Sequence, residues 1–139
     1  MYEELIDLTS NFLVIFRNIA KKHAITSSQG LIMLMIDIQG ISMTLLSCKL
    51  GLDASTMTRN IQRIEKKQLI TRVPNLNDKR SIKLLLSSRG KSIASNLNQN
   101  MSDSVQKILD KYDFDTANQI VNNLESLGWN LYLYRQNIE

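Results

Sequence analysis

With 139 residues, 43% hydrophobic and 22% charged, the chain has the composition of one folded domain and not of a disordered polymer. It contains no apolar run of about eighteen residues or more, which excludes a membrane-spanning helix, and its single cysteine excludes an internal disulfide. Seventeen Lys and Arg against thirteen Asp and Glu leave a modest net charge of +4.

From Glu3 to about Lys22, the residues Leu5, Leu8, Phe12, Ile15, Phe16 and Ile19 make a helical stripe, which Ile6, Leu13 and Ala20 widen. One small neighbour cannot cover that much apolar circumference. A second helix is predicted from Ser27 or Ser28 through Gln39, with Gly40 as its stop. Ser42 opens a short helix through Lys49, with Leu45, Leu46 and Leu50 inward. Gly51 then turns the chain into the next helix, which completes a helix-turn-helix.

That next helix carries most of the functional signal. Asp53 is a good N-cap, because its carboxylate can accept from the amides of the first turn. Met57, Ile61 and Ile64 define the buried stripe, so Ser55, Arg59, Gln62 and Lys66 point the other way, flanked by Thr56, Thr58 and Arg63. This outer face has hydroxyls, an amide and cations but no acid before Glu65. A solvated surface helix usually alternates its charges. A helix of this kind can donate to phosphates and reach base edges in a major groove.

Leu69-Ile-Thr-Arg-Val73 follows as a β-branched run ended by the only proline, Pro74. Asn75 to Lys79 is turn-forming, and Arg80 to Leu86 alternates, with Ile82, Leu84 and Leu86 on one side. The pattern is a β-hairpin wing presenting Asp78-Lys79-Arg80 beside the helix. Ser88 begins a long helix marked by Ile93, Leu97, Met101, Val105 and Ile108. Tyr112 to Asp115 interrupts it, and a last helix carries Ile120, Leu124, Leu127, Leu131 and Tyr134 in register.

Charge follows the same division. Lys49 to Lys91 holds eleven lysines or arginines against three acids, and the remainder six against ten. Positive charge concentrated on the nominated segment is the footprint of phosphate neutralisation. No basic helix is backed by a Trp- and Phe-rich face, which argues against a membrane surface. The first residues, Met-Tyr-Glu-Glu, lack the charge pattern of a secretion signal, so a cytoplasmic location is expected.

Taken in order, Thr26-Ser-Ser-Gln29, Ser55-Thr-x-Thr-Arg59, Glu65-x-x-Gln-Leu-Ile-x-Arg72, Asp78-Lys-Arg80 and Leu86-Ser-Ser-Arg-Gly90 resemble the MarR family of winged helix-turn-helix transcription regulators. The resemblance implies a single domain over residues 1–139, mainly α with a small β-hairpin wing. Residues 26–90 would be the DNA reader, and 1–22 and 91–139 a helical dimerisation region. It further implies a homodimer on a pseudo-palindromic operator of double-stranded DNA, a repressor by family default, released by a small-molecule effector or other signal. Where the family usually has glycine after the recognition helix, this chain has Gln68. A left-handed non-glycine residue there costs about 1 kcal/mol.

On this reading Ser55, Thr56, Thr58, Arg59, Gln62 and Arg63 serve the major groove, with Arg59 foremost at a base edge. Arg63 and Lys66 suit phosphate equally well. Arg72, Lys79 and Lys83 are expected at phosphates and Arg80 in the flanking minor groove, with Asp78 orienting Arg80 by a charge-assisted hydrogen bond. Phe12, Phe16, Arg17 and His23 are candidates to line an effector pocket, and Trp129, Tyr132 and Tyr134 are expected in a dimer core.

Catalysis and cofactors are not expected, since no nucleophile, base and orienting acid assemble and no Gly-rich phosphate loop occurs. His23 stands as the only histidine, which makes poor zinc chemistry, so no metal is expected. Cys48 lies away from the first helix, where peroxide-sensing relatives carry theirs, and reads as a buried inert thiol. Two rival readings are a winged-helix module for protein interaction and a ligand-binding protein that does not bind DNA; the basic segment disfavours both.

Overall fold

The computed structural model describes residues 1–78 and 81–137. Among the described residues, six helices and three strands follow in the order α1 (Tyr2–Lys22), α2 (Ser27–Leu34), β1 (Ile41–Ser42), α3 (Met43–Leu50), α4 (Ala54–Lys66), β2 (Ile70–Pro74), β3 (Ile82–Leu86), α5 (Ser88–Leu109) and α6 (Phe114–Gln136). The chain is thus mainly helical with a small antiparallel sheet. Two compact units divide within α5, one ending at Met101 and the other starting at Ser102.

The core of the first unit lies where the C-terminal half of α1 meets the winged helix. Ile19 and Ala20 of α1 join Ile32 and Met33 of α2, Leu46 of α3, and Met57, Ile61 and Ile64 of α4. Leu69, Ile70, Leu84 and Leu97 complete it. Each of the larger apolar side chains contributes about 1.5–3 kcal/mol by leaving water. The N-terminal half of α1 finds no cover in this unit, and Leu5, Ile6, Leu8, Leu13 and Val14 stay 40–49% exposed.

Helix α2 starts in a capping box: the Thr26 hydroxyl accepts from the Gln29 amide, and Gln29 Oε1 accepts from the Thr26 amide, both at 3.2 Å. It ends at Leu34, short of the Gln39 expected from sequence. Asp37 Oδ1 accepts from the Gln39 amide at 2.8 Å, a local turn that competes with helix, while Ile36 drops into the core. Gly40 closes the turn at φ +78°, where a Cβ would meet the Leu84 carbonyl oxygen at 2.8 Å. The next residues form β1, a strand without warning in the sequence, pairing Ile41 with Leu84 and Ser42 with Lys83. The sheet order is β1-β3-β2, and β2 pairs with β3 from Ile70 opposite Leu86 to Pro74 opposite Ile82. Both wing strands begin later than the sequence suggested, since Leu69 and Ser81 belong to the adjoining turns.

Two more expectations are corrected in α3. Leu45 is 49% exposed, because this short helix turns only its Leu46 stripe into the core. Cys48, read as buried, is exposed on the same helix.

The turn from α4 into β2 is built without glycine. Lys67 caps the helix, and Gln68 takes the left-handed conformation itself at φ +58°. The turn is then stitched to α5. Ser87 Oγ donates to the Gln68 carbonyl at 2.8 Å and accepts from the Gly90 amide at 3.0 Å, and the Ser87 amide donates to the Leu69 carbonyl. A Cβ on Gly90 would lie 1.9 Å from the Leu69 carbonyl oxygen, so only glycine fits. The Ser-Ser-Arg-Gly run is thus a helix start made for close contact with a turn.

In the second unit, Asp113 caps α6 by accepting from the Thr116 amide at 3.0 Å and hydroxyl at 2.6 Å. No residue of α6 is buried, and Trp129 stacks on Tyr132 with ring centroids 5.5 Å apart.

Candidate nucleic-acid interface

Helix α4 presents two opposed faces. Met57, Ile61 and Ile64 are fully buried, while Ser55, Arg59, Gln62, Arg63 and Lys66 are exposed and Thr56 and Thr58 half-buried. Among the described residues, Arg59, Arg63 and Lys66 make no ion pair or hydrogen bond through their side chains. Their donors are unspent, and burying them against anions would cost the protein no existing contact.

The start of the helix differs from expectation. Ser55 Oγ and Thr56 Oγ1 each donate to an Asp53 carboxylate oxygen at 2.6 Å, and the Thr56 amide donates at 2.9 Å. These donations, the Ser55 hydroxyl first, hold the Asp53 carboxyl well below the usual carboxylate range. With their protons committed to Asp53, the two hydroxyls are left as acceptors. Donors to a phosphate on this face therefore come from Arg59, Gln62, Arg63 and Lys66.

Arg72, a candidate for a phosphate contact, makes a two-pronged ion pair with Glu65. Its Nε donates to Glu65 Oε1 at 2.7 Å and its Nη2 to Glu65 Oε2 at 2.9 Å, which raises the Arg72 pKa. The third guanidinium nitrogen lies 3.9 Å from Met43 Sδ. One side chain thus links α4, β2 and α3 and engages the only acid of α4.

The wing closes on itself. Asn75 Nδ2 donates to Ser81 Oγ at 2.8 Å, and the Asn75 amide donates to the Ser81 carbonyl at 3.1 Å. Asp78 is exposed on the loop, and Lys83 is half-buried on the central strand, opposite Ser42 and Val73. Lys79 and Arg80 lie outside the described residues, and so does the proposed pairing of Asp78 with Arg80.

Sequence reasoning missed the other end of α4. Lys67 Nζ donates to the Ala24 carbonyl and, at 3.2 Å, to Oε1 of Gln29, a buried polar side chain of the core. Lys67 therefore ties the recognition helix to the α1–α2 link. Its partners lie 43 and 38 residues earlier, so no local pattern could have revealed it. Phe16, a candidate for an effector pocket, is buried, and an added Cβ on Gly30 would meet its ring at 3.0 Å; Arg17 is exposed. His23 caps α1 half-buried, with its Nε2 3.3 Å from Asn100 Nδ2. Among the described residues, no three of His, Cys, Asp and Glu gather as metal ligands, and no helix is long and apolar enough to cross a membrane.

Residues 25–82 match the model of the MarR family. No curated protein matches the whole sequence significantly. Among solved structures, wild-type MarR of E. coli in its apo form is 22% identical, with a TM-score of 0.77, covering 91% of this chain and 96% of its own. A MarR transcriptional regulator from Methanosarcina mazei Go1 is 23% identical, with a TM-score of 0.76 over 94% and 99%. The S. aureus MepR–DNA complex is 17% identical, with a TM-score of 0.72 over 94% and 98%.

Proposed function

We propose that this chain, whose residues 25–82 match the MarR family model, is a sequence-specific DNA-binding transcription regulator acting as a homodimer. The observation that carries this reading is the outer face of α4, where three cations and an amide stand exposed with unspent donors while the only acid is held by Arg72. Helix α4 enters a major groove, with Arg59 at a base edge and Ser55, Thr56, Thr58, Gln62 and Arg63 around it. Lys66 and Lys83 neutralise phosphates, and the wing with Lys79 and Arg80 lies along the flanking minor groove. Arg72 acts as the brace that sets the wing against α4. The fold shared with the MepR–DNA complex supports the DNA reading.

The homodimer reading rests on uncovered apolar faces. Leu5, Ile6, Leu8 and Leu13 on α1, and Leu124, Leu127, Leu131 and Leu133 on α6, remain 40–51% exposed. Faces of this extent are covered by a partner in soluble proteins, and a second copy is the symmetric solution. Repression relieved by a small effector is the mode proposed. Binding of the full chain to the DNA upstream of its own gene, beside an unrelated duplex, tests the reading. Preference for the upstream DNA that vanishes in Arg59→Ala/Arg63→Ala supports it, and equal binding to both duplexes opposes it.

A further inference from the structure

A cavity of about 240 Å³ opens at the C-terminal end of α4. Its cations come from separate elements: Lys66 and Lys67 from the end of α4, and Arg89 from the first turn of α5. His23, the cap of α1, also lines it, and among the described residues no carboxylate does. Like charges gathered round one concavity repel each other. The nearest acid in sequence, Glu65, is already committed to Arg72.

The donors are available. Lys67 spends two of its three N–H groups on Ala24 and Gln29, and among the described residues the Lys66 and Arg89 side chains spend none. The Asn100 side-chain nitrogen lies 3.3 Å from His23 Nε2, which ties the His23 ring to α5 beside the cavity.

The backbone singles out the same place. Among the described residues only two non-glycine residues have positive φ, Ala24 at +56° and Gln68 at +58°, and both line this cavity. Left-handed side chains are strained, and strained backbone gathers where a ligand is held.

We propose that this cavity binds a small oxyanion, either inorganic phosphate or the phosphate group of a small metabolite, held by Lys66, Lys67 and Arg89. A guanidinium fork and two ammonium charges suit a tetrahedral anion. Leu69 and Ile93 supply an apolar wall beside it, which favours an organic phosphate. Lys66 also stands on the outer face of α4, so a bound anion neutralises one cation of the DNA face; this consequence rests on the DNA reading, whereas the site itself does not.

The test uses the full chain, first without DNA and then with an added duplex. His23 is the only histidine, so its imidazole protons give unambiguous NMR signals. They are followed during titration with inorganic phosphate, and separately with phenyl phosphate, at constant pH and ionic strength. A saturable shift is expected, tighter for phenyl phosphate if the apolar wall is used, and weakened about tenfold or more in Arg89→Gln. Lys107→Gln, which removes the same charge elsewhere on α5, should leave the titration unchanged. Drift without saturation, or an unaltered response in Arg89→Gln, overturns the proposal. So does a shift that appears only on adding duplex DNA, which would give these cations to the DNA backbone.

Discussion

Arg59 and Lys66 stand two turns apart on one face of α4, yet their proposed roles separate on measurement. Arg59→Ala should cost about 1–3 kcal/mol on the specific site and less on random DNA. Lys66→Ala should weaken all sequences alike and flatten the salt dependence by about one unit. Binding titrations of both variants at several salt concentrations check this, and equal losses on both kinds of DNA would make Arg59 a phosphate clamp only. Asp53 offers a pH signature. Its folded-state pKa is depressed by the Ser55 and Thr56 donations, so its stabilising effect is present above the unfolded carboxylate pKa of about 3.9 and is lost as pH falls through the lower folded value. The gap between the thermal melts of wild type and Asp53→Ala, present at neutral pH, should therefore narrow progressively as pH falls below about 4. A gap that stays constant would refute the cap.

At the scale of elements, the chain declares its helices by period, and the cap read at Asp53 marks a real helix start, whereas the caps at Thr26 and Asp113 emerge only with the structure. What the chain hides is contact at long range. The end of α2 depends on a side-chain turn at Asp37 and on β3 arriving to pair with Ile41, and the Lys67 link spans two distant segments. Arg72 was legible as a cation beside the recognition helix, but its pairing with Glu65 depends on how β2 folds back along α4. Two substitutions probe the α4–β2 turn. Gly90→Ala drives a methyl into the Leu69 carbonyl and should destabilise by about 3 kcal/mol or more in urea titration. Gln68→Gly relieves a left-handed side chain and should stabilise by about 1 kcal/mol. Opposite signs would mean that the turn is not built this way.

At the scale of the whole molecule, the uncovered apolar faces on α1 and α6 support the proposed homodimer. Sedimentation equilibrium should give twice the chain mass, and Leu127→Glu should shift the population toward monomer. Trp129, the only tryptophan and 61% exposed on α6, reports the same event, since its emission should move to the blue as a partner covers it. A monomer at all concentrations, with unchanged emission, would contradict the dimer. The central claim is that α4 reads sequence, and that each copy reads one half of a symmetric site. Selection of bound duplexes from a random pool at stated salt tests it most directly. The account predicts enrichment of an inverted repeat whose half-sites lie about 10–10.5 base pairs apart, centre to centre, or a multiple of that. A selected pool with no sequence in common would contradict it.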